Sequence, residues 1–278
     1  MSQGIAEIEE RIAELEGRQS YRETVPLVRQ VAELTGSQYG EDSPEYVDAL
    51  NQLGCLYRGL GELDKAVQEL LKAVEIESRV RGTDTLDYAT SIMNLAGAYR
   101  LMGEYERAEW LFLEALELFR ERLGTEHFHY LSAANNLGLV YSDLKSYEDA
   151  ERLHREVLEV LAKTGKRDNV YANTINNLAA VLMATGRPEK AIQYLQEALE
   201  IYEATSGRES VPYATGLNNL AAAYYEAGEY SEAEACFTRA LPIIERTLGS
   251  GHTSWNSTRR NLDFVRQRLA ETGAVLSG

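Results

Sequence analysis

Carboxamides are the most regularly spaced polar side chains in this chain. Gln52, Asn94, Asn136, Asn177, Asn219 and Asn261 follow one another at intervals of 41 or 42 residues, and beside them run Asn51, Met93, Asn135, Asn176, Asn218 and Arg260. An amide side chain offers both a donor and an acceptor. A row of them can pair with the N–H and C=O groups of an extended peptide without reading its side chains. The same row could instead bridge neighbouring helices and stiffen the fold. Each such bond contributes about 1 kcal/mol net, so either use needs several rungs. Arg58, Arg100, Arg260 and Arg268 fall near the row, against the acids Asp48, Asp143 and Glu226. A guanidinium fork binds both oxygens of a carboxylate, so this slightly positive face suits a neutral or mildly acidic segment, with arginines near both ends and apolar contacts between. Cys55, Leu139, Met183, Tyr225 and Phe264 would supply those contacts.

Other chemistry is thinly represented. His127 and His129 share a loop with Glu126, but no third ligand is spaced to complete a metal site. His154 stands where Leu70, Phe112, Leu195 and Phe237 stand elsewhere in the repeat, which makes it a core position. Cys55 and Cys236 are far apart, so no disulfide framework is expected, and Cys55 reads as a small hydrophobe. No Gly-rich phosphate loop, nucleophile elbow or Cys/His dyad is present. The chain is therefore expected to be no enzyme, with no catalytic residue, no metal and no cofactor.

The amides ride on a repeated pair of helices. Five full units are expected at 43–84, 85–126, 127–167, 168–209 and 210–251. In each, a first helix (A) carries an apolar stripe at i, i+3, i+4 and i+7, as in Leu50-Leu53-Gly54-Tyr57 and Leu217-Leu220-Ala221-Tyr224. The small third residue admits a neighbouring helix. A glycine ends most A helices (Gly61, Gly103, Gly186, Gly228, with Lys145 the exception). Another ends every B helix (Gly82, Gly124, Gly165, Gly207, Gly249), each a candidate left-handed cap. Tyr46, Tyr88, Tyr130, Tyr171, Tyr213 and Trp255 keep strict register at the start of helix A. They are expected to pack on the preceding B helix with their polar tips in water. Residues 1–42 form a degenerate opening pair, with helices over 5–16 and Tyr21 to Leu34. Residues 252–278 form a closing helix with a polar outer face. The whole of 1–278 is expected to be one all-α solenoid of antiparallel helix pairs.

These units resemble tetratricopeptide repeats. The residues that carry the likeness are Leu-small-x-x-Tyr in helix A and Gly-x-Tyr-x-x-Ala opening helix B. An ordinary unit of that family has about 34 residues. The longer step here, with Asn-Asn-Leu-Ala and the segments Leu123-Gly124-Thr125-Glu126-His127 and Leu248-Gly249-Ser250-Gly251-His252, is similar to the kinesin-light-chain variety. The proline that usually follows the histidine is replaced by Phe128 and Thr253. The resemblance implies a right-handed superhelix with the A helices on its concave side, and a scaffold or adaptor that holds a peptide segment of another protein there. It places Asn51, Gln52, Arg58, Asn94, Arg100, Asn135, Asn136, Asn176, Asn177, Asn218, Asn219, Tyr225, Arg260 and Asn261 on the peptide-binding wall. Two alternatives are a bacterial peptide-signal receptor acting through a separate effector and a self-assembling structural solenoid. The polar closing helix points instead to a monomer.

Bulk composition agrees with a protein partner. The chain has 278 residues and a formal charge of −16, which repels phosphate backbones and anionic headgroups, so neither nucleic acid nor membrane is expected as a partner. No secretory signal or membrane span is visible, and a reducing cytoplasm fits the two cysteines.

Overall fold

The computed structural model describes residues 2–17 and 21–276. Thirteen helices and no strand occur among them. The chain forms two compact units, Met1–Leu144 and Lys145–Gly278.

The first unit holds α1 (Ser2–Gly17), α2 (Tyr21–Tyr39), α3 (Pro44–Gly59), α4 (Leu63–Val80), α5 (Leu86–Met102), α6 (Tyr105–Leu123) and α7 (Phe128–Asp143). The odd-numbered helices are A helices and the even-numbered ones are B helices. Each packs on the next, and α5 also touches α3 and α7, so the A helices lie side by side. The second unit holds α8 (Tyr147–Lys163), α9 (Asn169–Ala184), α10 (Pro188–Ser206), α11 (Val211–Glu226), α12 (Tyr230–Leu248) and α13 (Thr253–Leu276). There α9 and α11 meet as neighbouring A helices.

Sequence spacing sets both the packing and the turns. The apolar stripe of each A helix is buried, as Leu50, Leu53, Ile92, Leu95, Ile175 and Leu178 show. The small residue within the stripe is a contact point: a Cβ on Gly54 would lie 2.4 Å from Leu70 Cγ. Left-handed backbone recurs every 21 residues, at Gly40, Gly61, Gly82, Gly103 and Gly124, and resumes from Gly165 to Gly249. Lys145 keeps the place in between, with φ 62°. The two kinds of turn differ. Gly103, after an A helix, has ψ 10°. Gly124, Gly207 and Gly249, after B helices, have ψ of 166°, 160° and 155°. With positive φ the latter region is open essentially to glycine alone, whereas the former admits other residues at a cost of about 1–2 kcal/mol. That is why a lysine can replace glycine after α7.

Two expectations need correction. The helix expected over Tyr21–Leu34 runs on to Tyr39, because Val31, Ala32 and Thr35 bury a further turn and Gly40 ends it. The register tyrosines do not end in water. The Tyr46 ring packs against Gly36 on the preceding helix, as expected. Its hydroxyl, however, meets Lys72 of its own unit's B helix. Tyr88, Tyr171 and Tyr213 repeat the arrangement 26 residues on, with Glu114 at 3.2 Å, Glu197 at 3.4 Å and Arg239 at 2.6 Å. Burial, with Glu114 beside it, pushes the Tyr88 phenol up to about 12. The Tyr46 side chain thus touches the helices on both sides of its own.

Candidate functional site

The A helices position the amides because the buried stripe fixes their rotation, and the residues between stripe positions turn to the opposite face. All of Asn51, Gln52, Asn94, Asn135, Asn136, Asn176, Asn177, Asn218 and Asn219 are half-buried. Arg260 and Asn261, on α13, are exposed.

Within each unit the amides bond to one another. In the first, Asn94 Nδ2 donates to Asn51 Oδ1 at 3.3 Å, and Asn51 Nδ2 donates to Ser91 Oγ at 2.8 Å. In the second, Asn219 Nδ2 donates to Asn176 Oδ1 at 3.1 Å, and Asn218 Nδ2 to Thr258 Oγ1 at 2.8 Å. The two rows therefore have different duties. Asn51 and Asn218 stitch their helix to a hydroxyl 40 residues ahead. At the corresponding place beyond Asn176 stands Gly216, which has no hydroxyl. Gly216 instead leaves room for the Tyr202 ring, 3.1 Å from where a Cβ would be. Asn176 Nδ2 donates to the Tyr202 hydroxyl at 2.6 Å, and that hydroxyl donates to Asn173 Oδ1 at 2.6 Å. Burial holds the Tyr202 phenol up at about 12, so it stays neutral and keeps its proton to donate. Where the amide is replaced by Met93, the residue 40 ahead is Ala133, so no hydroxyl is stranded.

The other row keeps capacity in reserve. Asn94 and Asn219 spend a donor on their neighbour, and Asn136 Nδ2 donates to the Ser132 carbonyl at 2.9 Å. The side-chain oxygens of all three accept no hydrogen bond among the described residues.

The flanking residues vary in engagement. Arg100 Nη1 pairs with Asp143 Oδ2 at 2.9 Å. Arg58 crosses to α5 and donates from Nη1 to the Asn94 carbonyl at 3.2 Å. Tyr225 packs against Tyr230 and Phe264, ring centroids 5.4 and 5.5 Å away, and the Arg268 guanidinium lies 5.5 Å over the Phe264 ring. Tyr225, Phe264, Ala222 and Val265 line an apolar slot of about 260 Å³. Cys55 is half-buried, and burial raises its thiol above the ordinary range, which removes thiolate character at neutral pH. His154 is fully buried, and burial lowers it to about 4. His127 caps α7 through Nδ1 and stacks on His129, which stacks in turn on Phe119. No three His, Cys, Asp or Glu side chains among the described residues are grouped to hold a metal ion.

Sequence reasoning missed Ser91, Thr258 and Tyr202. The constant 40-residue offset from Asn51 to Ser91 and from Asn218 to Thr258 was the available signal. Tyr202 breaks the repeat and carried none.

Comparison with known proteins agrees with this architecture. Solved structures with the same fold include BtubC (BKLC) from P. vanneervenii, 23% identical over 87% of this chain and 92% of its own, with a TM-score of 0.63. A Podosopora anserina protein described as a kinesin light chain with nearly identical TPR-like repeats is 23% identical, covers 74% of this chain and 98% of its own, and has a TM-score of 0.62. The apo form of RapI is 16% identical over 96% of this chain and 99% of its own, also at 0.62. Among curated proteins none matches the sequence. The tetratricopeptide repeat profile matches residues 56–117, 87–163 and 170–246, more than half of the sequence. With helix pairs, turn glycines and repeat spacing all in agreement, the chain belongs to the tetratricopeptide repeat family, kinesin-light-chain-like in type.

Proposed function

We propose that this protein is a non-enzymatic scaffold that holds an extended segment of another protein along the amide-bearing faces of its A helices. Tetratricopeptide repeats serve protein–protein interaction, which gives the broad class. The observation that carries the finer reading is the reserve in the second amide row: Asn94, Asn136 and Asn219 are each fixed through Nδ2, with Oδ1 uncommitted. An amide oxygen held in this way is a preorganised acceptor for a peptide N–H, and preorganisation lowers the entropy cost of binding. The partner segment is neutral to mildly acidic, the protein works as a monomer, and neither nucleic acid nor membrane is involved. No helix among the described residues is long and apolar enough to cross a membrane.

The test is capture of partners from the native host by the wild type and by an Asn136→Ala/Asn177→Ala/Asn219→Ala variant of equal helicity. The variant is expected to lose the specific partners. A folded variant that retains all of them sinks the reading. A short free signal peptide would use the same face, and low-molecular-weight extract applied to both proteins separates that case from a protein segment.

A further inference from the structure

Trp110 is the most exposed large apolar side chain among the described residues, at 63%, and Leu113, one turn on, is 43% exposed. Both stand on the outer face of α6, a B helix whose inner face packs through Leu111, Phe112, Ala115 and Phe119. A covered aromatic side chain buries roughly 150–250 Å², so most of that gain is unrealised at Trp110. The repeat does not require an apolar pair here. The same two places hold Gln68 and Leu71 on α4, Arg152 and Arg155 on α8, Gln193 and Gln196 on α10, and Ala235 and Thr238 on α12. Only α6 carries two large apolar residues there.

The charges around the pair say what could cover it. From Glu106 to Arg120 the exposed residues of α6 are Glu106, Arg107, Trp110, Leu113, Glu117 and Arg120. At 3.6 residues per turn all but Arg107 fall within roughly 80° of one another, and Arg107 flanks them. Read forwards the stripe is acid, base, Trp, Leu, acid, base. Read backwards every acid becomes a base and every base an acid. An antiparallel copy of α6 would therefore set Glu106 against Arg120, Arg107 against Glu117 and Trp110 against Leu113. Two-fold symmetry repeats each contact. Within its own chain Arg107 pairs with Glu104 and Arg120 with Glu117, while Glu106 has no counter-ion among the described residues. The other B helices fail the same comparison. On α8 it opposes Arg152 to Arg155 and Asp149 to Glu159, and on α10 it opposes Glu189 to Glu203.

We infer that the outer face of α6 pairs with the same face of a second copy of this chain, antiparallel about a two-fold axis, with Trp110 and Leu113 at the centre and Glu106–Arg120 pairs at both ends. A helix of some other protein needs only an apolar face to sit there. A charge order that complements itself is what a second copy supplies. One helix from each side makes a small contact, in the class below about 1,200 Å², so the pair is weak and depends on concentration. The A helices take no part in it. One chain remains the unit that holds a segment, and pairing brings two such units together. The inference does not depend on what the amide rows bind.

The experiment is sedimentation equilibrium of the full chain at low salt, from about 1 to 500 µM. The average mass should climb with concentration towards that of two chains and no further, because an isologous contact closes at two. Trp110→Arg, which places there the residue α8 has in the same register, should weaken pairing at least tenfold with helicity kept. Leu101→Arg, at an exposed leucine elsewhere, and the Asn136→Ala/Asn177→Ala/Asn219→Ala variant should pair as the wild type does. The charges give an arm that does not touch the apolar pair. Glu106→Arg alone and Arg120→Glu alone should each pair about tenfold more weakly, since two exposed pairs turn from attraction to repulsion. Mixed together, these two variants should pair as tightly as wild type, because each end again sets an acid against a base. If Trp110→Arg fails to fold, the charge arm carries the test. A mass that stays at one chain throughout, or that passes two, overturns the inference. So does pairing that survives Trp110→Arg, or a mixture no tighter than either variant alone.

Discussion

Asn176 has little left to give a ligand. Its Nδ2 serves the Ala172 carbonyl and Tyr202, and its oxygen takes Asn219. The bond that most constrains it is the one to Tyr202, which is 2% exposed and shares its hydroxyl with Asn173 as well. Tyr202→Phe leaves the half-buried Asn176 amide short of a partner, while the exposed Asn173 can turn to water, and urea denaturation should show a loss of about 0.5–1.5 kcal/mol, the usual net worth of one hydrogen bond. A buried acid on α4 gives a prediction of a different kind. Glu77 is 2% exposed, and burial raises its carboxyl above the ordinary range even though Arg81 Nη1 sits 2.9 Å from Oε1. The native state therefore binds this proton more tightly than the unfolded chain does. The stability that comes from protonation is full below the unfolded pKa and is lost as pH rises through the raised native value. As pH falls from 7 to 5, wild type should gain stability relative to Glu77→Gln. Parallel slopes for the two proteins would remove the argument.

Helix pairs were legible in the sequence because their periods are set by burial and turn geometry. Those forces act on residue type alone, so Leu50-Leu53 and Gly103 announce themselves. The 21-residue spacing of left-handed turns has energetic consequences that differ by turn. Gly124→Ala should cost about 2–3 kcal/mol and Gly103→Ala about 1, since only the former must enter a region closed to side chains. Lys145→Gly should be neutral to stabilising by up to about 1 kcal/mol, as strain is relieved. Thermal melts of the three variants check the order. Gly54→Ala tests packing. Its Cβ would meet Leu70 at 2.4 Å, and overpacking of this kind typically costs about 1–3 kcal/mol. The site was less legible than the helices. Sequence spacing places Asn94 and Asn136 away from the buried stripe, but it cannot tell which amide atoms are already spent. That depends on Ser91, Thr258 and Tyr202, whose positions relative to the amides arise only when neighbouring helices pack.

For the molecule as a whole, 44 acids against 28 bases make self-repulsion the long-range electrostatic term. Ion pairs such as Arg120–Glu117 and Arg152–Asp149 are exposed and each contributes about 0–1 kcal/mol. Screening the repulsion should outweigh screening such pairs. The melting temperature is therefore expected to rise by a few degrees, roughly 2–4 °C for each kcal/mol gained, between 0.05 and 0.5 M sodium chloride. A fall would mean that the ion pairs dominate. The stitches across A helices also bear on how such a chain could have grown. Asn51 matches Ser91, Asn218 matches Thr258, and Met93 faces a register that ends in Ala133. A tandem copy of residues 85–126 would set Met93 against a second Ser91 and leave that hydroxyl unanswered. The units are thus written for particular neighbours, and gene duplication within this array would need a compensating change at the junction before the new copy fitted as well as the old.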